Sequence, residues 1–356
     1  LGPVMKIFSE RHDRCCDLHK AIEKRAPVKL NYDEEAFKLS KLKAGERGYD
    51  SRKGKLDKLA EKVAAHDKLV EAARAEIAKV DARIDAMRAK YAADPEFQKH
   101  EALLDNGIDL ARLTYPEVRT LRCQMQYIFQ DPYSSLNPRM TVANIIGEGL
   151  LAHKYCKKAN ERMHEEILQT MEDCGLAPYF LHRYPHQFSG GQRQRIGIAR
   201  SLAVHPKFVV CDEAVSALDV SIQSQIINLL QDLKEQQHLT YLFITHDLSV
   251  VKYISDRIGV MYLGNLVELA DSQEIFDHPM HPYTEALLES IPTTEEKRDL
   301  AVLEGDIPSP VNPPKGCKFH TRCKYCTEIC THVVPDWEEV TPNHFVACHH
   351  KLHTNE

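Results

Sequence analysis

Apolar residues recur at a seven-residue interval along a long, charged stretch near the start of the chain. A second set of mostly apolar residues fills the spacing between them. The first set is Leu56, Val63, Val70, Ile77, Ile84 and Tyr91, and the second is Leu59, His66, Ala73, Val80 and Met87. Because no glycine or proline interrupts residues 55–92, the pattern predicts one long helix with an apolar seam, as in a coiled coil.

A single helix of this kind needs a partner to cover its seam. We expect a weaker helix from residues 8–47 to fold back on it, with a turn at "KAGERGYDSRKG" (Lys43–Gly54) and a helix end at Asp94-Pro95. The resulting helical arm is either a solvated structural feature or a docking arm for a partner protein.

The pattern changes from Leu104 onward, where short apolar runs end in polar residues. The runs are "QMQYIFQDP" (residues 124–132), "KFVVCDE" (207–213) and "TYLFITHD" (240–247). A helical pattern, "SIQSQIINLLQDLKEQQ" (221–237), lies between the last two. Strands that alternate with helices predict a parallel α/β sheet, whose chemistry gathers at the carboxyl ends of its strands. Gln130, Asp212, Glu213 and His246 lie at those ends.

Length and charge narrow the classes of protein. The 356 residues allow two or three domains, and the net charge of -6 argues against a general nucleic-acid binder. Neither a membrane-spanning apolar run nor a signal-peptide pattern is visible. We therefore expect a soluble chain with at most a peripheral membrane role. Its first residue is Leu1 and not Met, which suggests a fragment.

Two motifs point to nucleotide chemistry. Ser189-Gly190-Gly191-Gln192 precedes a helical run, and glycines at a helix N-terminus let the backbone approach phosphate oxygens. Asp212 and Glu213 end an apolar strand, where one acid can help to hold Mg²⁺ and the other can polarise a water. Each motif alone is weak, since a loop or a strand end often carries such residues.

The order of these motifs resembles the ATP-binding cassette (ABC) ATPases. Gln130 matches that family's Q-loop, and Ser189–Gln192 match its signature motif, with Phe188 where leucine is usual. Asp212 matches the Walker B acid, Glu213 the catalytic base and His246 the switch histidine. Ser216–Asp219 match the D-loop, and Ala214-Val215 replace the common Pro-Thr.

Three further segments are similar to the oligopeptide/dipeptide importers within that family. They are "FQDPYSSLNPRMTV" (residues 129–142), "HPYTEALLESIP" (281–292) and the cysteine-bearing tail. The resemblance covers residues 105–350. It implies a charged helical insertion at 1–104, an ABC ATPase core at 105–268 and an importer-type extension at 269–356.

The glycine-rich Walker A loop of the family is missing. No G-x-x-x-x-G-K-[S/T] occurs in the sequence, and the nearest stretch, "SRKGKL" (Ser51–Leu56), lacks the first glycine and the final hydroxyl residue. The chain is either a fragment or a degenerate cassette, and we expect the fragment. The intact protein is then an ATPase, and this chain alone is expected to be inactive.

The resemblance also implies a mechanism and partners. ABC ATPases pair head to tail, so Ser189 and Gly191 would close over a nucleotide on a sister ATPase, in this subfamily commonly a different subunit. ATP and Mg²⁺ are the implied cofactors. Two permease subunits and an extracytoplasmic peptide-binding protein are the implied partners at the cytoplasmic face of the membrane, and no nucleic acid is implied. The alternatives are a coiled-coil ABC ATPase of DNA repair or chromosome maintenance, and a non-hydrolysing regulatory cassette.

Five of the eleven cysteines cluster near the end of the chain, and such clusters favour metal before disulfides in a reducing compartment. By resemblance to the importer tail, Cys317, Cys323, Cys330 and Cys348 would hold a [4Fe–4S] cluster, with Cys326 as the spare thiol. Zinc is the second choice, since His320, His344, His349 and His350 lie nearby in the sequence. Metal-free thiols are the third.

Overall fold

The computed structural model describes residues 2–102, 109–156, 159–290, 306 and 308–353. The expected domain boundary after residue 104 and the last two residues of "HPYTEALLESIP" lie outside the described residues. The chain divides into two compact units, each described by itself. The first contains Leu1–Gln126 and Tyr133–Lys207, and the second contains Tyr127–Pro132 and Phe208–Glu356.

Two long helices begin the first unit and pack against each other. They are α1 (Gly2–Ser40) and α2 (Tyr49–Tyr91). Ion pairs join the start of α1 to the end of α2, for example Arg11 Nε to Asp81 Oδ1 at 2.6 Å and Arg83 to Glu10 at 2.9 Å. The helices therefore run antiparallel, and seam residues Val63, Val70, Val80 and Ile84 are buried.

The turn between these helices is shorter than the sequence pattern predicts. Residues 41–48 form it, with Gly45 and Gly48 at φ of +91° and +96°, a conformation that glycine adopts without steric cost. The prediction that the turn extends to Gly54 is wrong. Arg52 and Lys55 lie within α2 and reach the Glu35 carboxylate on α1 at 3.2 and 3.0 Å, which offsets the low helix propensity of Gly54.

The rest of the first unit is helical. In chain order it contains α3 (Pro95–Ala102), α4 (Tyr115–Gln124), α5 (Val142–Ala152), α6 (Glu161–Asp173) and α7 (Gly190–Leu202). Helix α7 packs on α5 and α6, and side chains such as Ile146, Met171 and Ile196 are fully buried between them. This packing fixes the first turn of α7, where the Ser-Gly-Gly motif lies.

Strand β1 (Met125–Ile128) leads into the second unit and joins β2 (Phe208–Asp212) and β3 (Thr240–Ile244) in a three-stranded sheet of order β1-β2-β3. Strands β2 and β3 are parallel, with Asp212 opposite Ile244. The three predicted strands are therefore confirmed, as is the helix between the last two, α8 (Val220–Gln237). Their polar ends meet at one edge of the sheet.

A second sheet follows, which the sequence pattern did not predict. After α9 (Leu248–Ile254) come β4 (Arg257–Tyr262), β5 (Asn265–Asp271), α10 (Ser272–Asp277), α11 (Pro282–Glu289), α12 (Glu328–His332), β6 (Glu338–Thr341) and β7 (His344–Val346). The strands form an antiparallel sheet of order β4-β5-β7-β6. Because β5 pairs with β7 across more than seventy residues, local periodicity cannot reveal the pairing.

Candidate functional site

Glu213 is held in place by its own backbone at the end of β2. Its φ of +44° lies in the left-handed region, which costs a residue with a side chain free energy and usually marks a constrained turn. Its N–H donates to the Ile244 carbonyl at 2.8 Å, and its carbonyl accepts from the N–H and hydroxyl of Ser216 at 3.1 and 3.0 Å. The end of β3 and the turn after β2 thus fix where the carboxylate points.

Gln130 and His246 hold the two oxygens of this carboxylate. The Gln130 amide donates to Glu213 Oε2, and His246 Nδ1 lies 3.0 Å from Oε1. The three residues follow β1, β2 and β3 in turn, so the predicted convergence at the strand ends is observed within the second unit. The Glu213 side chain is 27% exposed and that of His246 is 74% exposed, so solvent reaches both.

Asp212, the other acid of the pair, has a partner that sequence reasoning missed. The Tyr127 hydroxyl on β1 donates to Asp212 Oδ2. This hydrogen bond, with some burial and the charge of the carboxylate, raises the pKa of Tyr127. The adjacency of β1 and β2 was the available signal, because a tyrosine on one strand can reach the last residue of its neighbour.

The signature residues begin α7 in the first unit. Ser189 Oγ accepts from the Gln192 N–H at 3.4 Å, and Gln192 Oε1 accepts from the Ser189 N–H at 3.2 Å. This reciprocal capping box fixes the serine at the helix N-terminus and leaves Gly190 and Gly191 in the first turn. Phe188 is buried and meets Phe180 edge to face at 5.0 Å, which gives this aromatic residue a packing role where leucine is usual.

Asp219 lies at the start of α8 and uses its carboxylate as a helix cap. Its Oδ1 accepts from the Ile222 N–H at 2.9 Å and from the Ser221 hydroxyl at 2.8 Å. These hydrogen bonds lower the pKa of Asp219. The side chain therefore stabilises α8, the helix that follows β2, and a role toward nucleotide stays a prediction.

Four thiols of the tail line one small cavity: Cys317, Cys323, Cys330 and Cys348. Cys326, the predicted spare, is exposed and outside it. Burial raises the pKa of the Cys317 thiol, and it raises the pKa of Cys323 to about 11 and that of Cys348 to about 12. Among the described residues, no group of three or more His, Cys, Asp or Glu is arranged to hold a metal ion as it stands.

The histidines near the thiols divide into two groups. His320, His349 and His350 line the thiol cavity, whereas His344 does not. His344 Nε2 instead lies 2.8 Å from Oε1 of Glu268, and both side chains are buried. The earlier expectation that His344 is available as a zinc donor is therefore not supported by its position.

Comparison with known proteins assigns the family. The profile described as "ABC transporter" matches residues 87–216, and the one described as "Oligopeptide/dipeptide transporter, C-terminal region" matches residues 267–330. The chain is 52% identical over 253 residues to the oligopeptide transport ATP-binding protein AppF of Bacillus subtilis, covering 69% of this chain and 76% of that protein.

The chain belongs to the ABC transporter ATP-binding family, in its oligopeptide/dipeptide branch. Two other relatives are similar to this ABC protein over comparable lengths. The putative oligopeptide transport ATP-binding protein YkfD of Bacillus subtilis is 51% identical, with 68% of this chain and 75% of that protein covered. OppF of Haemophilus influenzae, named an oligopeptide transport ATP-binding protein, is 47% identical, with 68% and 74% covered.

A solved structure of a dimeric, post-hydrolysis ATP-binding cassette, MJ0796 with ADP and Pi, matches this ABC chain at a TM-score of 0.42 and 27% identity, covering 47% of this chain and 72% of that one. The branch assignment favours transport over the DNA-repair alternative. Among the described helices, none is long and apolar enough to cross a membrane.

Proposed function

We propose that this protein is the ATP-hydrolysing subunit that powers import of oligopeptides or dipeptides. The observation that carries the proposal is the Glu213 carboxylate held between Gln130 and His246 at neighbouring strand ends. It occurs in a chain that is 52% identical to an oligopeptide transport ATP-binding protein. A carboxylate fixed in this way is suited to orient a water for attack on a phosphoryl group.

The residues of the strand ends would divide the work of hydrolysis. Glu213 would accept a hydrogen bond from the attacking water and align it, with its carboxylate kept in one orientation by Gln130. His246, exposed at 74%, would brace the terminal phosphate. Asp212, oriented by Tyr127, would help to hold Mg²⁺, which neutralises developing phosphate charge when bound. Positioning and charge neutralisation supply most of the rate in such reactions.

The signature residues would serve a nucleotide held by a sister subunit. Ser189 is exposed and caps a 13-residue helix, whose N-terminus favours negative charge. Since the sequence contains no G-x-x-x-x-G-K-[S/T], we propose that these 356 residues hydrolyse no ATP by themselves and act with a P-loop that they do not supply.

The remaining organisation is proposed on the same basis. We propose the three-part division into 1–104, 105–268 and 269–356. The importer-type match, which begins at residue 267, supports its last boundary, whereas the ABC transporter match begins at residue 87, before the proposed boundary at 104. The packing of α1 on α2 supports a coiled-coil arm. The relatives are named oligopeptide transport ATP-binding proteins, which supports membrane permease subunits as partners. We further propose a sister ATPase, a peptide-binding protein and peripheral attachment at the cytoplasmic face of the membrane.

We also propose that the thiol cavity holds a [4Fe–4S] cluster, with zinc as the second choice. Cys317, Cys323, Cys330 and Cys348 fit in type and number, because four thiolates satisfy either centre. Their convergence on one cavity supports the proposal. The raised thiol pKa values mean that binding would release protons, so metal occupancy should increase with pH.

Elemental analysis and an absorbance spectrum of anaerobically purified protein test the metal. Four iron atoms per chain, with a broad visible band that a Cys330→Ser variant lacks, would support the cluster. The Cys326→Ser variant is the matched control and should keep the band. Stoichiometric zinc would select the second choice, and neither metal would leave the thiols free.

Transport is tested by reconstituting the chain with its sister ATPase and permease subunits in proteoliposomes. We expect ATP-dependent uptake of a labelled tripeptide that unlabelled peptides compete with and free amino acids do not. ATP hydrolysis without peptide uptake, in vesicles that bind the peptide-loaded binding protein, would contradict the proposed substrate class.

A further inference from the structure

A cavity of about 420 Å³ lies in the second unit beside the antiparallel sheet. The turn between β4 and β5 forms one side, and the tail segments around Lys318 and Trp337 form the other. Its size falls within the range of sites for small organic molecules, which are mostly apolar with a few polar groups. The catalytic residues Gln130, Glu213 and His246 do not line it.

The inner wall of the cavity is aromatic. Tyr262 and Phe319 are both nearly fully buried and meet edge to face, with ring centroids 5.2 Å apart and planes at 81°. The rim carries exposed apolar side chains, with Leu266 at 37% and Val334 at 69% of their surface open. An apolar ligand would contact the wall and remove the exposed rim side chains from water, which is favourable.

Trp337 offers a rigid platform at the mouth. One face of its indole stacks on Phe345 of β7, with ring centroids 6.0 Å apart and planes at 7°. The indole nevertheless keeps 42% of its surface exposed and lines the cavity. Because the stack already orders the Trp337 side chain, ligand binding would cost little additional side-chain entropy.

Lys318 gives the cavity its charge. Its ammonium lies 3.5 Å from the Leu263 carbonyl, and none of the described residues that line the cavity offers a carboxylate to pair with it. The described lining contains no aspartate or glutamate. A cationic ligand would therefore meet an unfavourable charge, whereas an anionic group would gain a charge-assisted hydrogen bond.

We propose that this cavity binds a small hydrophobic carboxylate. Its carboxylate pairs with Lys318, and its apolar body lies between Trp337 and the wall formed by Tyr262 and Phe319. The inference concerns binding only and does not depend on peptide transport. A protein that binds the ligand without ATPase activity would support the cavity proposal alone. A protein with ATPase activity that does not bind the ligand would support the transport proposal alone.

Trp337 is the single tryptophan of the sequence, so the fluorescence of the full chain reports on this cavity directly. The probes are 3-phenylpropionate and its uncharged analogue 3-phenylpropan-1-ol, followed by fluorescence and by isothermal titration calorimetry. Two variants are compared with the wild type. Lys318→Gln removes the charge at the cavity, and Lys315→Gln removes an exposed charge outside its lining.

We expect a saturable change with 3-phenylpropionate and binding at least about tenfold weaker in Lys318→Gln. The alcohol should bind more weakly than the acid and should not distinguish the variants, and Lys315→Gln should behave as wild type. Absence of saturable fluorescence change and of heat up to about 10 mM acid would overturn the proposal. Equal binding of acid and alcohol would overturn it as well.

Two further probes distinguish between peptide-derived acids and fatty acids as the natural ligand. Tighter binding of N-acetylphenylalanine than of decanoate would point to peptide-derived acids, and the reverse order would point to fatty acids. If both bind no better than 3-phenylpropan-1-ol, the carboxylate assignment itself is wrong.

Discussion

At the scale of single residues, one turn decides the chemistry of the site. Glu213 sits at φ +44° with its N–H on the Ile244 carbonyl, so its carboxylate is directed toward the residues that follow β1 and β3. Gln130 and His246 then occupy its two oxygens. A water that replaces Gln130 or His246 beside the carboxylate would meet a proposed base that is already in position. Less free energy is then needed to reach the reactive arrangement.

A buried hydroxyl gives a stability prediction at this scale. The Tyr262 hydroxyl is buried and has no hydrogen-bond partner among the described residues. Leaving such a group unsatisfied costs free energy, so Tyr262→Phe should raise the free energy of unfolding by about 1 kcal/mol in urea denaturation.

The matched variant is Tyr241→Phe, because the Tyr241 hydroxyl donates to the Leu230 carbonyl at 3.0 Å. It should lower the free energy of unfolding by about 1 kcal/mol. A loss of stability in Tyr262→Phe comparable to that in Tyr241→Phe would mean that the Tyr262 hydroxyl is hydrogen-bonded in solution.

At the scale of elements, the pairing of α1 with α2 rests partly on charge. The Glu35 side chain is 9% exposed and accepts from Lys38, Arg52 and Lys55 at 3.1, 3.2 and 3.0 Å. Burial raises the pKa of Glu35, but the hydrogen bonds and charges of Lys55 and Lys38 outweigh it, so the pKa lies below its ordinary value. The carboxylate therefore stabilises the helix pair while it is ionised.

Replacing that carboxylate should loosen the arm. Glu35→Ala should lower the free energy of unfolding by roughly 1–2 kcal/mol, less than for a fully buried pair because the three cations remain partly solvated. Far-UV circular dichroism in urea measures the change. Replacing the exposed Glu23 on the same helix, as Glu23→Ala, should have almost no effect on the free energy of unfolding. Equal losses of unfolding free energy in the two variants would show that the Glu35 cluster does not stabilise the helix pair.

A second prediction at this scale concerns pH and the start of α11. His281 is 2% exposed, and its Nδ1 accepts from the Tyr283 N–H at 3.0 Å. Burial lowers the pKa of His281 from 6.5 to about 4, against the opposing charge of Glu268. Between pH 6.5 and about pH 4, His281 is protonated in the unfolded chain and neutral in the folded one. The contribution of this group to stability is therefore fully present above pH 6.5 and is lost as the pH decreases toward 4.

The expected loss from this group between pH 7 and pH 5 is about 2 kcal/mol of unfolding free energy. His281→Asn keeps a helix-capping acceptor without a titrating ring. Between pH 7 and pH 5, the unfolding free energy of this variant should therefore fall by about 2 kcal/mol less than that of the wild type. This difference does not depend on the absolute stability of the variant. Parallel pH profiles for the two proteins would rule out His281 as the titrating group.

The sequence allows some of these elements to be predicted and not others, for physical reasons. The heptad spacing predicts α2, and apolar runs with polar ends predict β1, β2 and β3, because both signals are local. Convergence of Gln130, Glu213 and His246 follows from the parallel sheet. The contact of Tyr127 with Asp212 depends on the side-chain reach between strands, and the antiparallel sheet depends on pairs such as Leu269 with Phe345, so neither was predicted.

At the scale of the whole molecule, the protein is one part of an ATP-driven assembly. Its family places it in an oligopeptide/dipeptide transporter, and its two compact units carry the two halves of the proposed chemistry. In the proposed mechanism, the Ser189 turn of the first unit would face a nucleotide on a sister subunit, and the second unit carries the carboxylate proposed to orient the water. The rate of ATP hydrolysis by the assembled transporter would depend on both of these proposed functions.

The steady-state Mg-ATPase rate of the assembled transporter, measured with Glu213→Gln and with wild type at saturating ATP, tests the central claim most directly. We expect a loss of at least about 100-fold with ATP binding retained, because the carboxylate is proposed to act on the attacking water and not on nucleotide affinity. Glu235→Gln, an exposed position on α8, should keep the wild-type rate. A Glu213→Gln rate within about threefold of wild type would contradict the assignment of Glu213 as the catalytic base.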